Sequence, residues 1–182
     1  MTRQVLAATL CVALTACAAN APGGQPPTAR ALTAALRDAQ GNPVGTATLV
    51  PEQGAVRVSV TASGLRPGEH GVHVHARGAC TPPDFATAGG HFNPGARSHG
   101  WSNPNGPHAG DLPNMSVGAD GAARYDARTP HLVLAGPGAV QADSAALVIH
   151  AGRDDQLTDP SGNSGARMVC GVLTAATGRR TR

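Results

Sequence analysis

At 182 residues the chain is long enough for one domain with a full core and little more. Apolar residues make up 41% of it, yet the aromatics are four (Phe85, Phe92, Trp101 and Tyr125), so Val, Leu, Ala and Ile must build the core. The net charge of +3 rests on 14 arginines and no lysine, and no basic stripe interleaves with aromatics, which excludes a nucleic-acid partner.

The N-terminus reads as an address. Arg3 precedes an apolar stretch, Val5 to Leu14, too short to span a bilayer and suited to a signal-peptide core. It ends in Leu14-Thr15-Ala16-Cys17, which resembles a bacterial lipobox. Residues 1–16 are therefore expected to be a signal peptide. Cys17 is expected to be the lipidated first residue of the mature chain, which places the protein in the bacterial cell envelope, anchored to a membrane. Residues 17–29, with Pro22, Gly23, Gly24, Pro26 and Pro27, read as a flexible tether.

The body is expected over 30–176. Ala31 to Leu36 fits helix or strand equally by periodicity. Gly45–Val50 and Ala55–Val60 flank Pro51-Glu52-Gln53-Gly54, the pattern of a hairpin. Val56, Val58 and Val60 alternate with Arg57 and Ser59, so one face is buried and one is wet. After a turn at Leu65-Arg66-Pro67-Gly68, a short strand is expected at Gly71–His75. Residues 76–111 then form a long stretch rich in Gly, Pro, Asn and His, and a loop of that length in a compact domain is commonly functional. Further strands are expected near Ala123–Ala127, Ala145–Ile149 and Met168–Leu173, with a second loop at 151–167 and a frayed basic tail at 177–182. The architecture this predicts is an all-β antiparallel sandwich or flattened barrel carrying two long loops.

Eight histidines are distributed in a telling way. His73 and His75 lie two apart in a strand, so both project from one face. His91, His99, His108 and Asp111 follow in the long loop, and His150 ends the strand Leu147-Val148-Ile149. A lone loop histidine is usually bound to water. Six with an aspartate, at strand ends and in one loop, suit two metal ions: imidazole fits copper and zinc, and three imidazoles with a carboxylate fit tetrahedral zinc. Cys80 and Cys170 form an even pair in the body of an exported chain, which is consistent with a disulfide.

These segments resemble a family. Gly71-Val72-His73-Val74-His75, Gly90-His91-Phe92-Asn93-Pro94, His108-Ala109-Gly110-Asp111-Leu112 and Gly165-Ala166-Arg167-Met168-Val169-Cys170-Gly171-Val172 look like copper/zinc superoxide dismutase in its bacterial exported branch. The likeness covers about Ala31 to Ala175. It implies a Greek-key β-sandwich, a flattened eight-stranded barrel, with a metal loop and an electrostatic loop. It implies copper held by His73, His75, His91 and His150, and zinc held by His91, His99, His108 and Asp111, with His91 shared. Asp154 would link ligands of both metals, Arg167 would dock the anion beside copper, and Cys80 would be bonded to Cys170. The reaction implied is disproportionation of superoxide to dioxygen and hydrogen peroxide, protecting the envelope; a homodimer is compatible with it.

The departures concern steering. Ala151-Gly152-Arg153 stands where many eukaryotic members carry a Glu-Lys pair, and Ser161 stands where they usually have Thr. Long-range attraction is therefore expected from arginines elsewhere. Trp101, His70 and His131 have no role in this reading: packing is the expectation for Trp101, and solvation or local bonding for the two histidines. The competing reading is a non-catalytic copper- or zinc-binding envelope lipoprotein on the same fold.

Overall fold

A computed structural model describes residues 29–176, and within them the chain forms ten short strands. They are β1 (Leu32–Asp38), β2 (Pro43–Glu52), β3 (Ala55–Ala62), β4 (Gly68–His70), β5 (Val72–His75), β6 (Met115–Val117), β7 (Ala123–Thr129), β8 (Ala146–His150), β9 (Arg167–Val172) and β10 (Thr174–Ala175). Cys17, the tether to residue 28 and the basic tail lie outside the described residues.

Alternation writes the first half of the fold. In β1 the residues Leu32, Ala34 and Leu36 are buried, and they pair across the ladder with Leu49, Ala47 and Gly45 of β2. Those pair in turn with Val58, Val60 and Ala62 of β3, and β3 with Ala127, Tyr125 and Ala123 of β7. Cross-strand partners share a face, so one apolar layer runs inside all four strands. The outer face carries Arg57, Ser59, Asp126 and Arg128, where Arg57 Nη2 meets Asp126 at 2.6 Å. Such an exposed pair contributes little to stability.

The main sheet runs β5-β8-β9-β1-β2-β3-β7, with β10 beside β1, while β4 and β6 pair separately. Strands β1, β2 and β3 follow one another by hairpins, and β9 returns after a long excursion to lie beside β1, a Greek-key connection. β4 continues into β5, and a tight turn at Gly118 to Ala122 joins β6 to β7, so this short pair bridges the two ends of the sheet. The result is the flattened all-β barrel expected from the sequence. The stretch left open between helix and strand at Ala31 to Leu36 is strand from Leu32 onward, and the first hairpin loop shrinks to Gln53-Gly54.

The second half departs from simple alternation because it is buried on both faces. Every residue of β5 and of β8 is buried. Val72, Val74, Leu147 and Ile149 face the barrel core. Ala146, Val148 and Cys170 face outward into a smaller apolar cluster with Phe85 and Ala88, which the long loop lays over the sheet. His73 pairs with Val148 and His75 with Ala146, so both histidines also point outward, beneath that loop.

The loop at 76–111 is thus not structureless. A short 3-10 turn spans Ala86–Ala88, and isolated bridges join His75 to His91 and His73 to Asp111. Val74 N donates to Gly110 O and Phe92 N donates to Val74 O, both at 2.8 Å, which satisfies the free edge of β5. The Cys80–Cys170 disulfide, with Cα atoms 5.7 Å apart, fastens the loop to β9 across 90 residues of sequence. Closing a loop of that size stabilises by roughly 4 to 5 kcal/mol in the chain-entropy picture.

Candidate metal centre

Six histidines and two aspartates meet between the outer face of β5 and β8 and the two long loops. His73 and His75 arrive on β5. His91, His99, His108 and Asp111 come from the first loop, and His150 from the end of β8. A register shift between Ile149 and His150 in the β8–β9 ladder sits beside the site, the usual place for a bulge that re-aims a side chain. Asp154 enters from the second loop. Asp154, Asp111, His73 and His99 are all fully buried.

Four of the six rings have one nitrogen held from outside the donor sets. His73 Nε2 lies 2.7 Å from Asp154 Oδ2, and His99 Nε2 lies 3.0 Å from Asp154 Oδ1. His75 Nδ1 lies 2.8 Å from Gly89 O, and His150 Nδ1 lies 3.0 Å from Gly165 O. These contacts fix ring orientation and leave the opposite nitrogen with a lone pair to offer. The inner nitrogens converge: His73 Nδ1, His91 Nε2 and His99 Nδ1 are buried without a hydrogen-bond partner, and His75 Nε2 faces His150 Nε2 at 3.4 Å. Buried unsatisfied nitrogens are costly, so a cluster of them marks a place where something else completes the bonding.

Two groupings result. One donor atom from each of His73, His75, His91 and His150 lies within 4.8 Å of the others. Around Asp111 Oδ1 stand His91 Nδ1 at 2.8 Å, His99 Nδ1 at 3.1 Å and His108 Nδ1 at 3.2 Å. His108 Nδ1 and His91 Nδ1 are 3.3 Å apart. Ligands of a tetrahedral zinc at about 2.0 Å stand about 3.3 Å from one another, so this second set has the right size. His73 also falls within 4.8 Å of His91, His99 and Asp111. Its Nε2 is committed to Asp154 and its Nδ1 belongs to the first grouping, so His108 is the better fourth member of the second. His91 stands in both sets.

Electrostatics agree with metal binding. Burial pushes His73 down to about 3, His75 to about 2 and His150 to about 4, so these rings are neutral and their nitrogens available. His91 is lowered too, again by burial, against the pull of Asp111. His99 is the exception: burial opposes its charged form, but Asp111 and Asp154 outweigh burial and raise it to about 9. Asp111 and Asp154 resist the upward push of burial and stay well below the usual carboxylate range, through bonds from His108 and His91 and the adjacent His99 ring in one case and bonds from His73 and His99 in the other.

The site opens to solvent through a cleft of about 450 Å³ lined by His75, His91, His108, His150, Ser161 and Arg167, among others. Arg167 is half-buried, and its guanidinium donates to Phe85 O and to Gly89 O, each at 2.6 Å. Gly89 O therefore holds His75 and Arg167 together.

Several supports have no signal in the sequence. Asn114 donates to Asp154 O and accepts from Asp154 N, both at 2.8 Å, which clamps the backbone of Asp154. Gly162 makes room for its carboxylate. His70 is not solvated: it is 2% exposed, with Nδ1 2.8 Å from His150 O and Nε2 2.8 Å from Arg66 O. Trp101 does more than pack. It stays 39% exposed, donates from Nε1 to Asp111 O at 3.1 Å, and meets the His131 ring edge-on at 5.2 Å.

A Greek-key barrel with two adjoining donor sets that share one imidazole is a two-metal protein of the copper–zinc type. The family described as copper/zinc superoxide dismutase (SODC) matches residues 44–173, and the chain belongs to that family. It is 45% identical over 167 residues to the Cu-Zn superoxide dismutase of Deinococcus radiodurans, covering 84% of this chain and 86% of that protein. It is 48% identical over 120 residues to the superoxide dismutase-like protein YojM of Bacillus subtilis, covering 64% of this chain and 61% of that protein. Among solved structures, the Cu/Zn superoxide dismutase from Brucella abortus superposes with a TM-score of 0.67 at 32% identity, covering 78% of this chain and 98% of that one.

Proposed function

We propose that the cleft disproportionates superoxide: two superoxide anions and two protons become dioxygen and hydrogen peroxide. The observation that carries this reading is the set of four imidazoles whose free nitrogens converge beside a half-buried guanidinium in an open cleft. His73, His75, His91 and His150 would hold copper. His91, His99, His108 and Asp111 would hold zinc. Copper supplies one-electron redox chemistry when bound, and zinc supplies charge and scaffold without redox chemistry.

The chain's own groups do the rest. Asp111 holds His91 Nδ1, so the ring keeps its orientation while Nε2 takes up and releases a proton at the edge of the cleft. Asp154 ties a ring of each metal set to one carboxylate. Arg167, held by two carbonyls, offers a fixed cation to a small anion.

The complete histidine set speaks against the non-catalytic reading. Superoxide consumption by the purified protein, measured with and without added copper, decides between them: copper-dependent turnover supports a dismutase, and tight copper binding without turnover supports storage or delivery.

The N-terminal sequence supports an envelope setting, with residues 1–16 as signal peptide, Cys17 as the lipidated residue and 17–29 as tether to the domain at 30–176. Mass spectrometry of membrane-extracted protein should find acyl mass on Cys17, and Cys17→Ala should release the protein into the soluble fraction. An unmodified Cys17 in membrane-extracted wild type contradicts this setting.

A further inference from the structure

Residues 29 and 176 lie side by side at one pole of the barrel. Ala29 lines a pocket with Pro51, Glu52 and Gly54, at the β2–β3 hairpin. Ala175 of β10 is paired with Leu32 of β1, and Ala176 N donates to Ala31 O at 3.0 Å. The chain therefore arrives from the tether and departs towards residues 177–182 at neighbouring points. The metal cleft is at the other pole. β9 starts at Arg167, which lines the cleft, and the run from there to Ala175 covers about 25 Å at the rise of a strand.

Charge divides between the termini and the body. All 11 carboxylates lie between Ala31 and Ala176, against nine arginines. Asp111 and Asp154 are buried in the metal centre, so the rest of the body is balanced, nine against nine. The positive excess of the chain beyond residue 16 is Arg30, Arg179, Arg180 and Arg182. Arg30 is exposed beside Ala31, and the other three follow Ala176 so closely that all four must lie within about 20 Å of the pole where the tether arrives.

We propose that Arg30, Arg179, Arg180 and Arg182 dock this pole on the anionic lipid headgroups of the membrane that holds the anchor. The inference rests on the reading of Cys17 as lipidated. A tether of residues 17–29 has a root-mean-square reach of about 20 Å, which keeps the pole near the surface. At that effective concentration, about fivefold in the docking equilibrium from each arginine is enough to matter. The acyl chains hold the protein, and the arginines set which way it faces. The cleft then opens away from the membrane, beyond the screening length of about 8 Å of its negative surface.

The test uses the acylated, metal-loaded protein in phosphatidylcholine vesicles, with or without about one third phosphatidylglycerol. A fluorophore is placed on Gln53→Cys, in the hairpin at the anchored pole, or on Gln40→Cys, in the β1–β2 turn beside Arg167. Cys80 and Cys170 are bonded to each other and Cys17 carries the lipid, so the new thiol takes the label. A nitroxide on the headgroups quenches whichever probe is near. On anionic vesicles Gln53→Cys should be quenched several-fold more than Gln40→Cys. The difference should shrink on phosphatidylcholine alone and at about 0.5 M salt. It should shrink equally in the combined variant Arg179→Gln, Arg180→Gln, Arg182→Gln, whose docking equilibrium should fall about 100-fold. Lysine at the same three positions should preserve it, and Arg66→Gln, at the cleft end, should leave it unchanged.

Equal quenching of the two probes on anionic vesicles overturns the proposal. So does a difference that survives undiminished on neutral vesicles or in the combined variant, because the tether alone then accounts for it. If Cys17 carries no acyl group, the anchor reading fails, and flotation of the unacylated protein with anionic vesicles decides the rest. Flotation that is lost in the combined variant supports headgroup binding by this pole, and no flotation at low salt overturns it.

Discussion

Asp154 and His73 form a fully buried pair, with Oδ2 2.7 Å from Nε2, and the other oxygen of the same carboxylate lies 3.0 Å from His99 Nε2. One second-loop side chain thus orients a ring in each donor set. An amide in its place can accept from one ring only and turns an N–H towards the other. Asp154→Asn should therefore weaken binding of both metals by about 10- to 100-fold, as loss of such supporting groups usually does. Competition with chelators of known affinity, run for copper and zinc separately, checks this. Unchanged affinity for both metals would remove Asp154 from the account.

Gly162 makes that carboxylate possible. Its φ is +62°, and a Cβ there would collide with Asp154 Oδ1 and lie 2.8 Å from His99 Nε2. Neither atom can retreat, since both are buried. Gly162→Ala should cost about 1–3 kcal/mol of stability from backbone strain alone, and it should lower metal content as well. Urea unfolding with metal analysis of the same samples measures both; a wild-type midpoint with full metal would show that the second loop adapts.

The sequence carried the barrel more readily than the support of its site. Period-two alternation was plain in Val56, Val58 and Val60, and it placed His73 and His75 on one face. β4 and β6 are three residues each, too short to leave a pattern. The metal-loop residues stood out because several imidazoles and Asp111 crowd one stretch, and family resemblance sorted them into two sets. Asp154 by itself resembled a solvated acid beside Asp155. Its role depends on His73, 81 positions away, and on Asn114, 40 positions away. His70 was half legible: the local bonding expected of it holds at Arg66 O, four residues away, whereas its second partner, the carbonyl of His150, is 80 residues distant. Contacts of that separation are set by the fold and have no local periodicity.

The metal-free protein should be acid-sensitive well above the carboxylate range. In the folded state burial depresses His73 to about 3, His75 to about 2 and His150 to about 4, whereas the unfolded chain protonates them near 6.5. Between about pH 6.5 and 4 the unfolded state therefore binds more protons, so stability falls as pH falls. His99 works the other way: raised to about 9, its contribution is complete below 6.5 and is lost as pH rises through 9. Urea midpoints of chelator-treated protein should drop steadily from pH 7 to pH 5, and added copper and zinc should flatten the profile by replacing protons at the same nitrogens. A midpoint independent of pH over that range would mean the rings are not held neutral.

The central claim is that one imidazole is shared between two metals and that copper alone turns over substrate. Its most direct test is metal content per chain and superoxide loss, measured together on loaded wild type, His150→Ala, Asp111→Ala and His91→Ala. Wild type should carry both metals and consume superoxide. His150→Ala should lose copper and nearly all activity while keeping most of its zinc, Asp111→Ala should lose zinc first with activity reduced but present, and His91→Ala should disturb both sites. Full copper and full activity in His150→Ala would contradict the assignment at its centre.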